Sequence, residues 1–122
     1  MRIVGVDPGL TTGLCFYNDG ELESMTEARS DVEVADYICA CAPDVVVMEN
    51  YIVGKRPSRP KEPLMMIGAV SYMCQVEGIE LVIQGPNILS RMMKMTKGIH
   101  KSDHIRSACA HVMYYMNGES EK

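Results

Sequence analysis

Two acids in this 122-residue chain stand at the ends of apolar runs. Asp7 closes Ile3-Val4-Gly5-Val6, and Glu49 closes Val45-Val46-Val47-Met48. Short β-branched runs of this kind read as buried strands, so each carboxylate is expected at a strand tip, where solvation is poor. Two such groups side by side repel unless a cation sits between them; the plain alternative is a pair of exposed loop acids. His100-Lys101-Ser102-Asp103 adds an imidazole and a carboxylate at i and i+3 at the start of a helix, where both can converge on one point. Asp7, Glu49, His100 and Asp103 together are rich in oxygen and contain no thiolate, which suits Mg²⁺ or Mn²⁺ rather than zinc. Such a set supports phosphodiester hydrolysis, in which two divalent ions about 3.5–4 Å apart activate water and stabilise the departing oxygen.

A polyanionic substrate needs cations nearby. The chain carries a net charge of −4, but unevenly. Residues 1–54 hold two basic and ten acidic side chains, a net of −8, whereas residues 55–106 hold nine basic and four acidic, a net of +5. The excess lies in two segments: Lys55, Arg56, Arg59 and Lys61, then Arg91, Lys94, Lys97, Lys101 and Arg106. Such asymmetry is the footprint of a polyanion-binding face or, equally, a solvated surface.

The elements that must position these groups follow from pattern. Residues 2–6 read as a strand and Pro8-Gly9 as a turn. Residues 11–17 and 21–27 read as two further strands joined by a hairpin turn at Asn18-Asp19-Gly20, so the chain opens as an antiparallel meander. Ser30 and Glu33 form a capping box ahead of Val34, Ala35, Ile38 and Cys39, which predicts a helix that Pro43 stops. The run closed by Glu49 suits a central parallel strand. Residues 54–63, with three prolines and four basic residues, predict a loop. A helix is expected over 64–77, with Gly78 after its end, and a strand over 80–84, broken by Gly85-Pro86-Asn87. Residues 88–95 predict a short helix or turn and 96–101 a basic loop. Ser102 is a good N-cap for a last helix with Ile105, Ala108, Cys109, Val112 and Met116 on its inner face. The order β-β-β-α-β-α-β-α predicts an α/β fold with a five-stranded mixed sheet and helices on both faces. One domain is expected over 1–116, followed by a polar tail over 117–122.

Several classes are excluded or disfavoured. No run of 18 apolar residues offers a membrane span, and the N-terminus lacks the apolar stretch of a signal peptide. Five cysteines without paired CxxC spacing argue against a zinc ribbon or disulfide framework and for a reducing, cytoplasmic setting. Cys39-Ala-Cys41 reads as helix packing.

Gly5-Val6-Asp7-Pro8-Gly9-Leu10-Thr11-Thr12-Gly13 resembles the opening of the RuvC-type Holliday junction resolvases of the RNase H-like superfamily. Val45-Val46-Val47-Met48-Glu49 resembles their second motif, Gly68 their helix glycine, Gly85-Pro86-Asn87 to Lys97-Gly98 their proline, basic and glycine segment, and His100-Lys101-Ser102-Asp103 through His111 their final helix. The chain departs from them in its short length, in the missing helical segment between Gly98 and the last motif, and in His104 where a small residue is usual; it looks more like compact phage-encoded members. The resemblance implies an RNase H-like fold and a metal-dependent endonuclease that resolves four-way junctions and other branched DNA. It also implies two Mg²⁺ or Mn²⁺ ions held by Asp7, Glu49, His100 and Asp103, and a wedge at the junction from Tyr51 or Ile52. Host cytoplasm is the expected setting if the chain is phage-encoded. Basic residues Lys55, Arg56, Arg59, Lys61, Arg91, Lys94, Lys97 and Lys101 are expected to hold DNA. Two symmetric nicks imply a homodimer, for which the methionine-rich helix over 64–77 (Met65, Met66, Met73) is the interface candidate. Three rivals are an actin-like sugar kinase, for which 122 residues are too few, an RNase H-like nuclease acting on RNA or RNA–DNA hybrid, and a non-catalytic junction-binding protein.

Overall fold

A computed structural model describes residues 1–50, 62–85, 88 and 92–121, with no account of the side chains of residues 62 and 119–121. The elements are β1 (Arg2–Asp7), β2 (Thr12–Asn18), β3 (Glu21–Ala28), α1 (Asp31–Cys41), β4 (Val45–Glu49), α2 (Glu62–Glu77), β5 (Glu80–Gln84), a 3-10 turn (Met93–Thr96) and α3 (Asp103–Glu121). The sheet order is β3-β2-β1-β4-β5. The first three strands pair antiparallel, and β1, β4 and β5 run parallel. This is the expected mixed sheet, because a two-residue turn returns a strand antiparallel and a helical crossover returns it parallel.

Local chemistry accounts for the element ends. Asp19 and Gly20 both take positive φ, as a tight hairpin turn requires. Ser30 caps α1 by accepting the Glu33 amide at 3.1 Å, while the Glu33 carboxylate accepts the Ser30 hydroxyl at 3.3 Å. Arg2 closes the other end of α1 by donating to the Cys41 carbonyl from Nε at 3.0 Å, with its guanidinium over the Phe16 ring. Ser102 caps α3 by accepting the Ile105 amide at 3.3 Å. The last helix continues to Glu121, so most of the segment expected as a polar tail extends α3.

Alternation along the strands splits the core into two layers. Val4, Val6, Val46 and Met48 face α1 and α2, meeting Val34, Ile38, Met66 and Val70. Ile3, Cys15, Val45 and Val47 face α3, meeting Ile105, Ala108, Cys109 and Val112. All five cysteines are unpaired thiols, and only Cys39 is exposed. Two glycines let α3 lie directly on the sheet. A Cβ at Gly5 would sit 2.5 Å from the Ala108 carbonyl oxygen, and one at Gly13 would overlap the His104 carbonyl. These two contacts set the rotation of α3 over the end of β1. No helix among the described residues is long and apolar enough to cross a membrane.

Candidate active site

Strand parity determines where the acids point. Gly5 faces α3, and a strand alternates with period two, so Asp7 faces α3 as well. Val45 and Val47 face α3, and Glu49 continues that row. The β1–β4 ladder pairs Val6 with Met48, which brings Asp7 and Glu49 side by side one residue further on; Gln84 pairs with Glu49 on β5. Three polar side chains thus end three neighbouring parallel strands. Asp7, Pro8, Glu49 and Asn50 line a small cavity of about 60 Å³ there.

The two carboxyls are largely withdrawn from water, at 14% and 15% side-chain exposure. Burial, then the hydrogen bond and charge of Glu49, push the Asp7 carboxyl up to about 9. At neutral pH Asp7 therefore carries the proton. Burial disfavours ionised Glu49 too, but the nearby His111 imidazole, Asp7 and the Ser107 hydroxyl outweigh it and hold this carboxyl below its usual range. The pair shares one negative charge, as two close carboxylates must without a cation.

Helix α3 supplies the other side of the site through residues at i, i+3 and i+7. His104 Nδ1 lies 3.6 Å from Asp7 Oδ2. The Ser107 hydroxyl donates to Glu49 Oε2 at 3.1 Å. His111 is fully buried, with Nδ1 2.7 Å from Gln84 Oε1 and Nε2 3.7 Å from Glu49 Oε2. The expected pair from this region behaves differently. The Asp103 side chain is 84% exposed and faces Arg106 at 3.5 Å. His100 Nδ1 accepts the Ser102 amide at 2.9 Å. The structure brings Asp7 and Glu49 together and sets His104 and Ser107, rather than His100 and Asp103, beside them. One residue along a helix is a rotation of about 100°, which turns Asp103 out to solvent while the half-exposed His104 reaches Asp7. The spacing of His104, Ser107 and His111 beside the apolar stripe of Ile105, Ala108 and Val112 was the available sequence signal.

Of the expected DNA-binding residues, Lys94, Lys97 and Lys101 are exposed. Arg106 ties their segment to α3, donating to the Met93 carbonyl from Nη2 at 3.1 Å and to the Thr96 hydroxyl from Nε at 3.3 Å. Ser102 ties it to β3 by donating to Glu27 Oε2 at 2.8 Å. Glu27 pairs with Gly13, and Gly13 with Asp7, so this segment borders the sheet edge that carries the acids. Lys55, Arg56, Arg59, Lys61 and Arg91, with Tyr51 and Ile52, lie outside the described residues.

Similarity to solved structures bears on the whole architecture. RuvC of Thermus thermophilus in complex with a Holliday junction substrate superposes with a TM-score of 0.78 at 16% identity, covering 97% of this chain and 96% of that one. The fold is that of RuvC. A second Thermus thermophilus RuvC structure gives a TM-score of 0.74 at 17% identity, covering 97% of both chains. The fowlpox virus resolvase, solved with its substrate Holliday junction DNA, gives 0.71 at 15% identity, covering 98% of this chain and 99% of that one. No protein-family profile matches the chain, and no curated protein sequence is detectably similar to it. The fold is shared at only 15–17% identity, and its five-stranded sheet carries Asp7 and Glu49 at the ends of its central strands.

The site's donors fit a hard divalent cation. Two carboxyls line one cavity, with the Ser107 hydroxyl and the His104 imidazole each against one of them, and burial beside Glu49 favours a proton on Asp7 that a cation would replace. Among the described residues no three His, Cys, Asp or Glu side chains group closely enough to hold a metal ion, so protein donors alone would not complete a shell. Two adjacent carboxyls are the donor chemistry a hard cation takes when water and phosphate supply the rest of its shell.

Proposed function

We propose that this chain is a structure-selective endodeoxyribonuclease that resolves Holliday junctions and other branched DNA by metal-dependent phosphodiester hydrolysis. The observation that carries this reading is the Asp7–Glu49 pair, side by side and largely buried at the ends of the central strands of a sheet with the RuvC fold. Asp7 and Glu49 would hold Mg²⁺ or Mn²⁺, with His104 and Ser107 at the same cavity edge. When bound, the metal supplies activation of water and stabilisation of the departing oxygen.

The chain's own groups do the rest. Glu49 stays ionised beside the Ser107 hydroxyl, which donates to it at 3.1 Å, and the His111 imidazole 3.7 Å away. Asp7 gives up its proton when a cation takes that place. Lys94, Lys97 and Lys101 border the same sheet edge and would hold backbone phosphates; Lys55, Arg56, Arg59, Lys61 and Arg91 would extend that surface. We assign His100 and Asp103 to the exposed approach to the site rather than to the ion, because neither contacts Asp7 or Glu49.

A homodimer would present two such sites to a two-fold junction. Helix α2 supports one, though through other residues than its methionines alone. Met66 is buried in its own core and Met73 packs against it, while Leu64, Met65, Tyr72 and Val76 are exposed on the outer side.

Incubating the protein with end-labelled four-way junction, linear duplex and RNA–DNA hybrid, with Mg²⁺ or with chelator, tests the reading. Paired nicks near the branch, dependent on the ion, are expected. Preferential cutting of the hybrid would assign the site to RNA instead, and binding without cleavage would leave a junction-binding protein.

A further inference from the structure

The site leaves one group without an evident task. His111 lies in the middle of α3 with no exposed surface, flanked by the buried Ala110 and Val112. A buried imidazole there must find partners for two ring nitrogens. Nδ1 has one in Gln84 Oε1 at 2.7 Å. Nε2 is the one buried side-chain nitrogen or oxygen among the described residues without a hydrogen-bond partner, and it is aimed at Glu49 Oε2 from 3.7 Å. Native interiors rarely tolerate such an orphan, and each instance asks for a reason.

We propose that His111 is a positioning residue, which fixes the Glu49 carboxylate for cation binding by bridging the ends of β4 and β5 from the opposite layer. This rests on the reading of Asp7 and Glu49 as a metal centre. Glu49 and Gln84 are paired residues on neighbouring strands, so one imidazole reaching both removes their side-chain freedom together. The Ser107 hydroxyl holds the same oxygen, Oε2, at 3.1 Å from one helical turn earlier. Two α3 groups therefore anchor one side of Glu49. Partners behind a ligand of this kind commonly change metal affinity or activity by about 10- to 100-fold when removed.

The test is Mn²⁺ binding by the full chain, followed by the electron paramagnetic resonance signal of free Mn²⁺, with thermal melting of the same samples. His111→Leu fills the space without polar contacts, His111→Gln keeps a polar end, and Gln84→Leu removes the far anchor while leaving His111. The expected result is about a tenfold or greater loss of Mn²⁺ affinity in His111→Leu, partial recovery in His111→Gln, and a smaller loss in Gln84→Leu. Should His111→Leu not fold, the other two variants carry the same comparison. Folded His111→Leu, or folded His111→Gln and Gln84→Leu, binding Mn²⁺ as the unaltered protein does would overturn the positioning role and leave the metal centre standing. No Mn²⁺ binding by the unaltered protein would overturn the metal centre and this role with it.

Discussion

Asp7 and Glu49 stand side by side at the ends of two neighbouring parallel strands, both largely withdrawn from water, and burial beside Glu49 pushes the Asp7 carboxyl up to about 9. The metal centre proposed here turns on what replaces the proton this favours.

That proton makes stability depend on pH in a defined direction. Asp7 has an ordinary value of 3.8 and is raised to about 9 by burial and by Glu49. Between those values the folded state binds a proton that the unfolded state has lost, so stability falls as pH rises through this window. Glu49 is held below its ordinary value and is ionised in both states above roughly pH 5, so it adds no slope there. Melting of the metal-free protein should therefore move to lower temperature from about pH 6 to 9. Added Mg²⁺ or Mn²⁺ should raise it, more at the higher pH, because no proton then competes. Asp7→Asn should flatten both trends.

Ser107 offers a gain-of-function test. Its hydroxyl sits 3.1 Å from Glu49 Oε2, and Glu49 stands beside Asp7. Ser107→Asp would place a third carboxylate against two that already stand side by side. Calorimetry and melting should show opposite effects, a metal-free protein less stable by about 1–3 kcal/mol and an Mn²⁺ affinity at least about tenfold tighter. A variant that loses both stability and Mn²⁺ binding would argue that the cavity does not accept an ion.

The seating of α3 is equally testable. A methyl at Gly13 meets the His104 backbone, which cannot yield as a side-chain tip can. Gly13→Ala should cost at least about 1–3 kcal/mol in denaturant unfolding. It should also lower cleavage more than binding, because His104 and Ser107 ride on the displaced turn.

Much of the architecture was legible because its causes are local. The Ser30–Glu33 capping box, the Asp19-Gly20 turn and the β-branched runs each act over a few residues, and the elements formed where they point. Asp7 and Glu49 were legible because both terminate apolar strands of a parallel pair. The α3 side was not. Whether Asp103 or His104 faces the acids depends on the rotation of a helix about its axis, which is set by the Ala108 and His104 carbonyls against Gly5 and Gly13, residues about 90 or more positions away in sequence. The inward burial of Met66, against the outward Met65, is the same kind of fact on α2.

The exposed face of α2 predicts the assembly. Met65 and Tyr72 are about two-thirds exposed or more, a costly display for a free monomer. Sedimentation at micromolar concentration should give twice the 13.6 kDa chain mass. Met65→Glu with Tyr72→Glu should give monomers that still fold and nick but no longer make paired cuts. A monomeric unaltered protein that makes coordinated cuts would contradict the dimer.

For DNA binding, charge removal at Lys94, Lys97 and Lys101 should weaken the hold on a junction. The slope of log affinity against log salt should fall by about one unit for each phosphate that is no longer neutralised. An unchanged slope would make that segment solvated surface only.

The most direct measurement compares four variants on one labelled four-way junction under single-turnover conditions, with binding measured in parallel. Asp7→Asn and Glu49→Gln should each slow ion-dependent cleavage by about a hundredfold or more while junction affinity holds or rises. Asp103→Asn should cut within about threefold of the unaltered protein, since its carboxylate is exposed and meets only Arg106. His104→Ala should fall between. Cleavage that survives Asp7→Asn, or that is lost in Asp103→Asn as completely as in Glu49→Gln, would contradict the site described by the Asp7–Glu49 pair.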